Sequence, residues 1–135
     1  MEECYPDRGF EYLIVFLPCH DLQVVHNFYN VILRLPVALD QGDCLVFRIS
    51  EKARGYWGFC TLKSKLANPE KVCLTLVVSS REEVDQWHRK LVTVDAPCTK
   101  EPSYSQQFHI YHTFFQDPMG YTLEIQAFDV EHAPC

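Results

Sequence analysis

One carboxylate stands in the middle of an alternating run. Residues 121–126 read Tyr-Thr-Leu-Glu-Ile-Gln and follow Asp117-Pro118-Met119-Gly120 directly. Asp-Pro-x-Gly is turn chemistry, and the alternation after it buries Leu123 and Ile125 on one face while Glu124 points from the other. A carboxylate so placed can ligate a divalent cation. It can act as a general base where apolar neighbours raise its pKa, or it can accept hydrogen bonds from a ligand. His109 and His112 precede the turn and could approach Glu124 from the neighbouring strand. Three positions apart, they fall on opposite faces of a regular strand, so only one shares the side of Glu124 unless a bulge intervenes. The other histidines read as structural: His20 in a loop, His26 at a helix rim, His88 packed on its sheet and His132 in a tail.

The remaining composition narrows the class of partner. With 135 residues, 47% hydrophobic and 22% charged, the chain is globular and of single-domain size. A net charge of −6 argues against nucleic acid or an anionic membrane and leaves a small molecule as the expected partner. No run approaches the roughly 20 apolar residues of a membrane span. The stretch MEECYPDRGF lacks a basic-then-apolar leader pattern, so a cytoplasmic location is expected. Seven cysteines, at 4, 19, 44, 60, 73, 98 and 135, are an odd number with no CxxC pair. That predicts neither a disulfide framework nor a structural zinc site, and most of these thiols as small buried hydrophobes.

The elements that must position Glu124 occur twice. FEYLIVFL (10–17) reads as a strand, and Asp21 caps a helix with Leu22, Val25, Tyr29 and Ile32 on one face. The helix ends near Leu33, before Pro36. Alternating runs at 37–41, 44–49 and 56–61 follow. VCLTLVV (72–78) then starts the pattern again, with Ser79 or Ser80 and Glu82 or Glu83 as a capping box and Val84, Trp87, His88 and Leu91 on the second helix. Strands near 98–101, 108–115 and 121–128 complete it. The helix caps Asp21 and Ser80 align the halves, placing Ile14 on Cys73. Matching Gly55-Tyr56 to Gly120-Tyr121 places Phe59 on Glu124. The prediction is a single α+β domain of two βαβββ modules, about 10–61 and 72–128, with a linker at 62–71 and a tail at 129–135.

DLQVVHNFY (21–29) and the closing DPMGYTLE (117–124), set in a βαβββ repeat, resemble the vicinal-oxygen-chelate superfamily. That group includes glyoxalase I, fosfomycin-resistance transferases, extradiol dioxygenases and bleomycin-binding proteins. The resemblance implies a curled mixed sheet with an open cleft, and a homodimer. It also implies up to four metal ligands, one on the first and one on the last strand of each module, here Ile14, Phe59, Cys73 and Glu124. Ile14 and Phe59 cannot bind a metal.

Alternation from these positions puts Tyr12, Ile14 and Phe16 on the cleft face, with Trp57 and Phe59. In the second module the same face holds Cys73 and Thr75, then Thr122, Glu124 and Gln126. The expected function is binding of a small, partly apolar or aromatic ligand without the full metal site and without a cofactor. The alternative is a divalent-metal-dependent lyase, isomerase, transferase or dioxygenase holding Zn, Ni, Mn or Fe on Glu124, Cys73 and His112. Metal-free, Glu124 is the candidate general base.

Overall fold

The computed structural model describes residues 10–52, 55–61 and 72–134. The chain divides into two compact units, Met1–Lys65 and Leu66–Cys135. The first contains β1 (Leu13–Pro18), α1 (Leu22–His26) prolonged by a π-helical turn at Asn27–Ile32, β2 (Val37–Asp40), β3 (Cys44–Arg48) and β4 (Gly55–Cys60). The second repeats the order with β5 (Cys73–Val77), α2 (Arg81–Thr93), β6 (Cys98–Ser105), β7 (Ile110–Gln116) and β8 (Thr122–Phe128), then a short 3-10 turn at Val130–His132. Each unit has one four-stranded sheet, ordered β1-β4-β3-β2 and β5-β8-β7-β6. The outer strands β1 and β5 run parallel to β4 and β8, and the other pairs are antiparallel. The fold is therefore α+β with two βαβββ modules. The linker expected at 62–71 lies outside the described residues.

Caps and turns place these elements where the sequence expects them. The Asp21 carboxylate accepts from the N–H groups of Gln23 and Val24. Ser80 accepts from the N–H of Glu83, whose carboxylate returns to the N–H and hydroxyl of Ser79. The first helix widens where it ends, with the Leu33 N–H donating to the Phe28 carbonyl five residues back. Before β8, Asp117 Oδ1 accepts from the N–H of Met119 (2.9 Å) and of Tyr121 (2.8 Å), and Gly120 takes a left-handed φ of 87°. That turn fixes where the alternation of β8 begins.

In the first unit the core forms around Tyr29, which is wholly buried. Its ring stacks on Phe59 at 4.6 Å and meets Trp57 edge-on at 6.1 Å. Trp57 and Phe59 thus belong to the helix side of their sheet, not to the open side expected for them. In the second unit Leu74, Leu123, Ile125, Phe115, Val84 and Leu91 are buried. His88 packs on the sheet, its Nδ1 3.2 Å from Thr113 Oγ1 and its ring 5.5 Å from Phe115.

The cysteines depart from expectation. Cys44 and Cys60 face each other across β3 and β4 and form a disulfide. Of the free thiols described, Cys19 is buried while Cys73 and Cys98 are exposed. An odd count without CxxC spacing argued against a framework of several bridges, but it carries no information about one cross-strand pair. Such a pair depends on strand register and not on sequence spacing.

Candidate functional site

The open face of the second sheet is built by alternation on adjacent strands. Thr75 is paired with Glu124 across β5 and β8, and His112 with Gln126 across β7 and β8. Glu124 is buried and its two oxygens are separately engaged. The Thr75 hydroxyl donates to Oε1 at 2.8 Å, and His112 Nδ1 lies 2.7 Å from Oε2. His112, not His109, is therefore the histidine that meets Glu124. Because the carboxylate only accepts, the Nδ1 of His112 carries the proton of this bond, and Nε2 is the ring nitrogen left for another partner.

His112 Nε2 is buried and has no partner, and the same holds for Gln126 Oε1 and Ser103 Oγ. Ser103, His112 and Gln126 are cross-strand neighbours on β6, β7 and β8. The three orphans thus form one row on one face. Leaving each bond unmade costs about 1–3 kcal/mol, so a row of three is a sizeable local deficit that a bound polar group would relieve. Beside the row is a concavity of about 400 Å³, lined by Phe108, Ile110, Phe114 and Phe128 as well as His112, Glu124 and Gln126. Apolar walls with a few convergent polar atoms are the usual make-up of a small-molecule site.

Sequence reasoning missed Phe108, Ile110, Phe114, Phe128 and Ser103. Period-2 alternation from His112 would have supplied Ile110 and Phe114 once that histidine was placed opposite Glu124. Thr122 and Cys73 lie at the start of the same face, paired with each other. The Cys73 sulfur is 3.7 Å from Thr75 Oγ1 and 3.9 Å from Glu124 Oε1. Although the residue is exposed overall, partial desolvation of its sulfur and the nearby Glu124 charge push the thiol above its ordinary pKa, against the Thr75 hydrogen bond. It remains a thiol at neutral pH and a poor nucleophile.

In the first unit, Tyr12, Ile14 and Phe16 do share one open face. Ile14 is paired with Tyr56, Phe16 with Gly58, and the rings of Tyr12 and Tyr56 meet edge-on at 5.4 Å. Tyr56 and Gly58 therefore occupy the side on which Trp57 and Phe59 were expected. Phe16 lies across Gly58, where an added Cβ would sit 2.5 Å from its Cδ1. Pairing by register makes the relation between the modules plain. Ile14 pairs with Tyr56 as Cys73 pairs with Thr122, so the first-unit counterpart of Glu124 is Gly58.

A second cluster lies at the far end of β7 and β8. His109, Asp129 and His132 have one ligand atom each within 4.8 Å of one another. Both oxygens of Asp129 are already engaged, by Tyr104 at 2.6 Å and Arg81 at 3.0 Å. The two imidazoles stack nearly parallel, 3.8 Å between centroids, so their in-plane lone pairs do not converge on one point. The arrangement holds the 129–132 segment against the β6–β7 hairpin.

No family model and no curated protein matches the sequence. Solved structures do match. A glyoxalase/bleomycin resistance protein/dioxygenase from Nocardioides superimposes with a TM-score of 0.73 at 16% identity, over 97% of this chain and 91% of its own. The chain has the vicinal-oxygen-chelate fold. A glyoxalase/dioxygenase from Nostoc punctiforme with the same fold matches with a TM-score of 0.74 at 15% identity, over 96% and 98% of the two chains. The fosfomycin resistance protein FosX from Listeria monocytogenes gives 0.72 at 18% identity, over 93% and 97%.

The four metal-ligand positions implied by the vicinal-oxygen-chelate resemblance can now be assigned by register: Ile14, Gly58, Cys73 and Glu124. Ile14 and Gly58 carry no donor atom. His112 cannot substitute through Nδ1 without breaking its bond to Glu124, and its Nε2 lies on the other side of the ring. Of those four positions, Cys73 and Glu124 carry a donor atom.

Proposed function

We propose that the chain binds a small, partly apolar or aromatic ligand on the open face of its second sheet, without the full metal site of vicinal-oxygen-chelate enzymes. The observation that carries this reading is the buried, unpartnered row of Ser103 Oγ, His112 Nε2 and Gln126 Oε1 beside a phenyl-walled concavity. Glu124 holds and orients His112 instead of reacting directly. The proton-accepting group presented to a ligand is then His112 Nε2, with Glu124 ready to stabilise an imidazolium. Tyr12, Ile14 and Phe16 are read as a further apolar patch available to ligand. Trp57 and Phe59 contribute only through the core beneath.

The alternative is a divalent-metal-dependent lyase, isomerase, transferase or dioxygenase using Glu124. It is favoured by Cys73 and His112 standing on either side of a buried carboxylate. Two measurements separate the readings. Metal per chain, determined by mass spectrometry after purification without chelators and after adding back Zn, Ni, Mn or Fe, is expected to stay far below one. A fragment screen by NMR is expected to shift His112, Phe114 and Phe128. Stoichiometric metal lost in Glu124→Ala would overturn the metal-free reading.

The reading also takes the protein as a cytoplasmic homodimer. No described helix is long and apolar enough to cross a membrane. The outer strand β1 and Tyr12 just before it leave Tyr12, Leu13, Val15 and Phe16 exposed, an apolar surface suited to a second copy. Light scattering after size exclusion tests the dimer.

A further inference from the structure

We infer that Asp129 is a positioning residue for this site: its bonds on the helix side of the second sheet set where Phe108 and Phe128 stand on the open side. The inference rests on the binding-site reading above and adds what shapes the apolar wall of that site. Phe128 is the last residue of β8 and pairs with Ile110, the first of β7. Phe108 lies outside the strands, in the β6–β7 hairpin, and is 60% exposed. Both rings line the concavity, yet both stand where strand pairing ends and a ladder frays. Pairing alone fixes such positions weakly.

Asp129 supplies a tie at that point. Its backbone continues extended from Phe128, so its side chain leaves the sheet on the opposite face, toward α2. There Oδ1 accepts from Arg81, the first residue of α2, at 3.0 Å, and Oδ2 accepts from the Tyr104 hydroxyl of β6 at 2.6 Å. Its N–H donates to the carbonyl of His109, the neighbour of Phe108, at 3.0 Å. One residue therefore joins the helix, the edge strand β6 and the hairpin. The anchor is itself fixed. The Arg81 guanidinium lies over the rings of Tyr104 (4.6 Å) and Tyr111 (5.6 Å), and Tyr111 donates to Asp85 of the same helix at 2.7 Å. His109 takes a left-handed φ of 56°, unfavourable for a non-glycine residue, which its contacts with Asp129 and His132 sustain. Releasing Asp129 loosens the hairpin tip and Phe128 together. His112, Glu124 and Gln126, paired inside the ladder, keep their places.

The test compares Asp129→Ala and the milder Tyr104→Phe with wild type, by NMR of the aromatic side chains and by titration with 2-phenylethanol. In the unliganded Ala variant the ring signals of Phe108 and Phe128 should shift and broaden, while those of Phe114 and His112 stay. Its affinity for the probe should fall about threefold to tenfold, the scale of one or two exposed polar bonds, with Tyr104→Phe between it and wild type. Asp21→Ala, which removes a helix cap in the first unit, is the control for lost stability alone; it should lower the urea midpoint and leave the phenyl signals and the affinity unchanged. If Asp129→Ala lowers the midpoint but keeps wild-type ring signals and affinity, Asp129 is only structural and the inference fails while the binding site stands. If 2-phenylethanol moves no signal of the wild-type chain at millimolar concentration, the binding-site reading fails. The ring signals of the unliganded variants then decide by themselves whether Asp129 places the two phenyls.

Discussion

At the level of single residues, the hydrogen bond between His112 and Glu124 sets the chemistry of the open face. Removing the carboxylate leaves a buried Nδ1–H unpaired, so Glu124→Ala should lower stability by about 1–3 kcal/mol in urea unfolding. Glu124→Gln keeps one acceptor and should cost less; an Ala variant as stable as wild type would show that the pair is not formed. Asp129 gives a prediction in pH. The hydrogen bonds from Tyr104 and then Arg81 hold its carboxyl below the ordinary value. Its folded form therefore binds fewer protons than the unfolded chain between the two pKa values. The contribution is intact above about pH 4 and is lost as pH falls through the folded value. Asp129→Asn should flatten the acid limb of the urea midpoint between roughly pH 2 and pH 5. Glu124 itself was legible in the sequence, because an acidic residue opposite Leu123 and Ile125 must face away from the core. The unpaired Nε2 of His112 was not, since it depends on which of two histidines a short hairpin turns inward. Here the strand resumes at Ile110 after a left-handed His109, with φ 56°.

Among the elements, the turn before β8 matters most. Asp117 accepts two N–H bonds and so fixes the residue at which β8 starts. Asp117→Ala should cost about 1–3 kcal/mol and broaden the amide signals of Thr122 to Gln126, while Asp117→Asn, which keeps an acceptor, should be milder. An unchanged β8 spectrum in the Ala variant would show that strand pairing alone sets the register. The same turn explains the misplacement of Trp57 and Phe59. Gly120 belongs to the turn, whereas Gly55 is already the first residue of β4, so the two Gly-Tyr pairs are not equivalent. Anchoring on them slips the register by one, and one residue carries every side chain to the other face. Helix caps proved the better anchors, because a cap is tied to the first helical turn by its own hydrogen bonds.

For the whole molecule, duplication was readable because hydrophobic period changes in the same order twice. The bridge between Cys44 and Cys60 was not, being a product of sheet register. Its sequence separation of 16 implies about 3 kcal/mol of stabilisation on loop entropy. Alkylation of native protein under non-reducing conditions should leave both cysteines unmodified, and reduction or the double Ser variant should lower the melting temperature. A cytoplasmic setting keeps such pairs reduced. Alkylation in intact cells compared with purified protein therefore measures both the bridge and the location.

Phe16 resting on Gly58 has a further consequence, for how the two halves can change. A side chain at 58 and the ring at 16 claim the same space, although the ring is 52% exposed and free to leave. The effect of any substitution at one position is therefore conditional on the other. Gly58→Ala should turn the Phe16 ring aside at modest cost and be nearly neutral once Phe16 is Ala. A path that places a carboxylate at 58 to match Glu124 has a preferred order of steps, with the ring going first. The halves of this chain are similar in outline but no longer interchangeable one residue at a time.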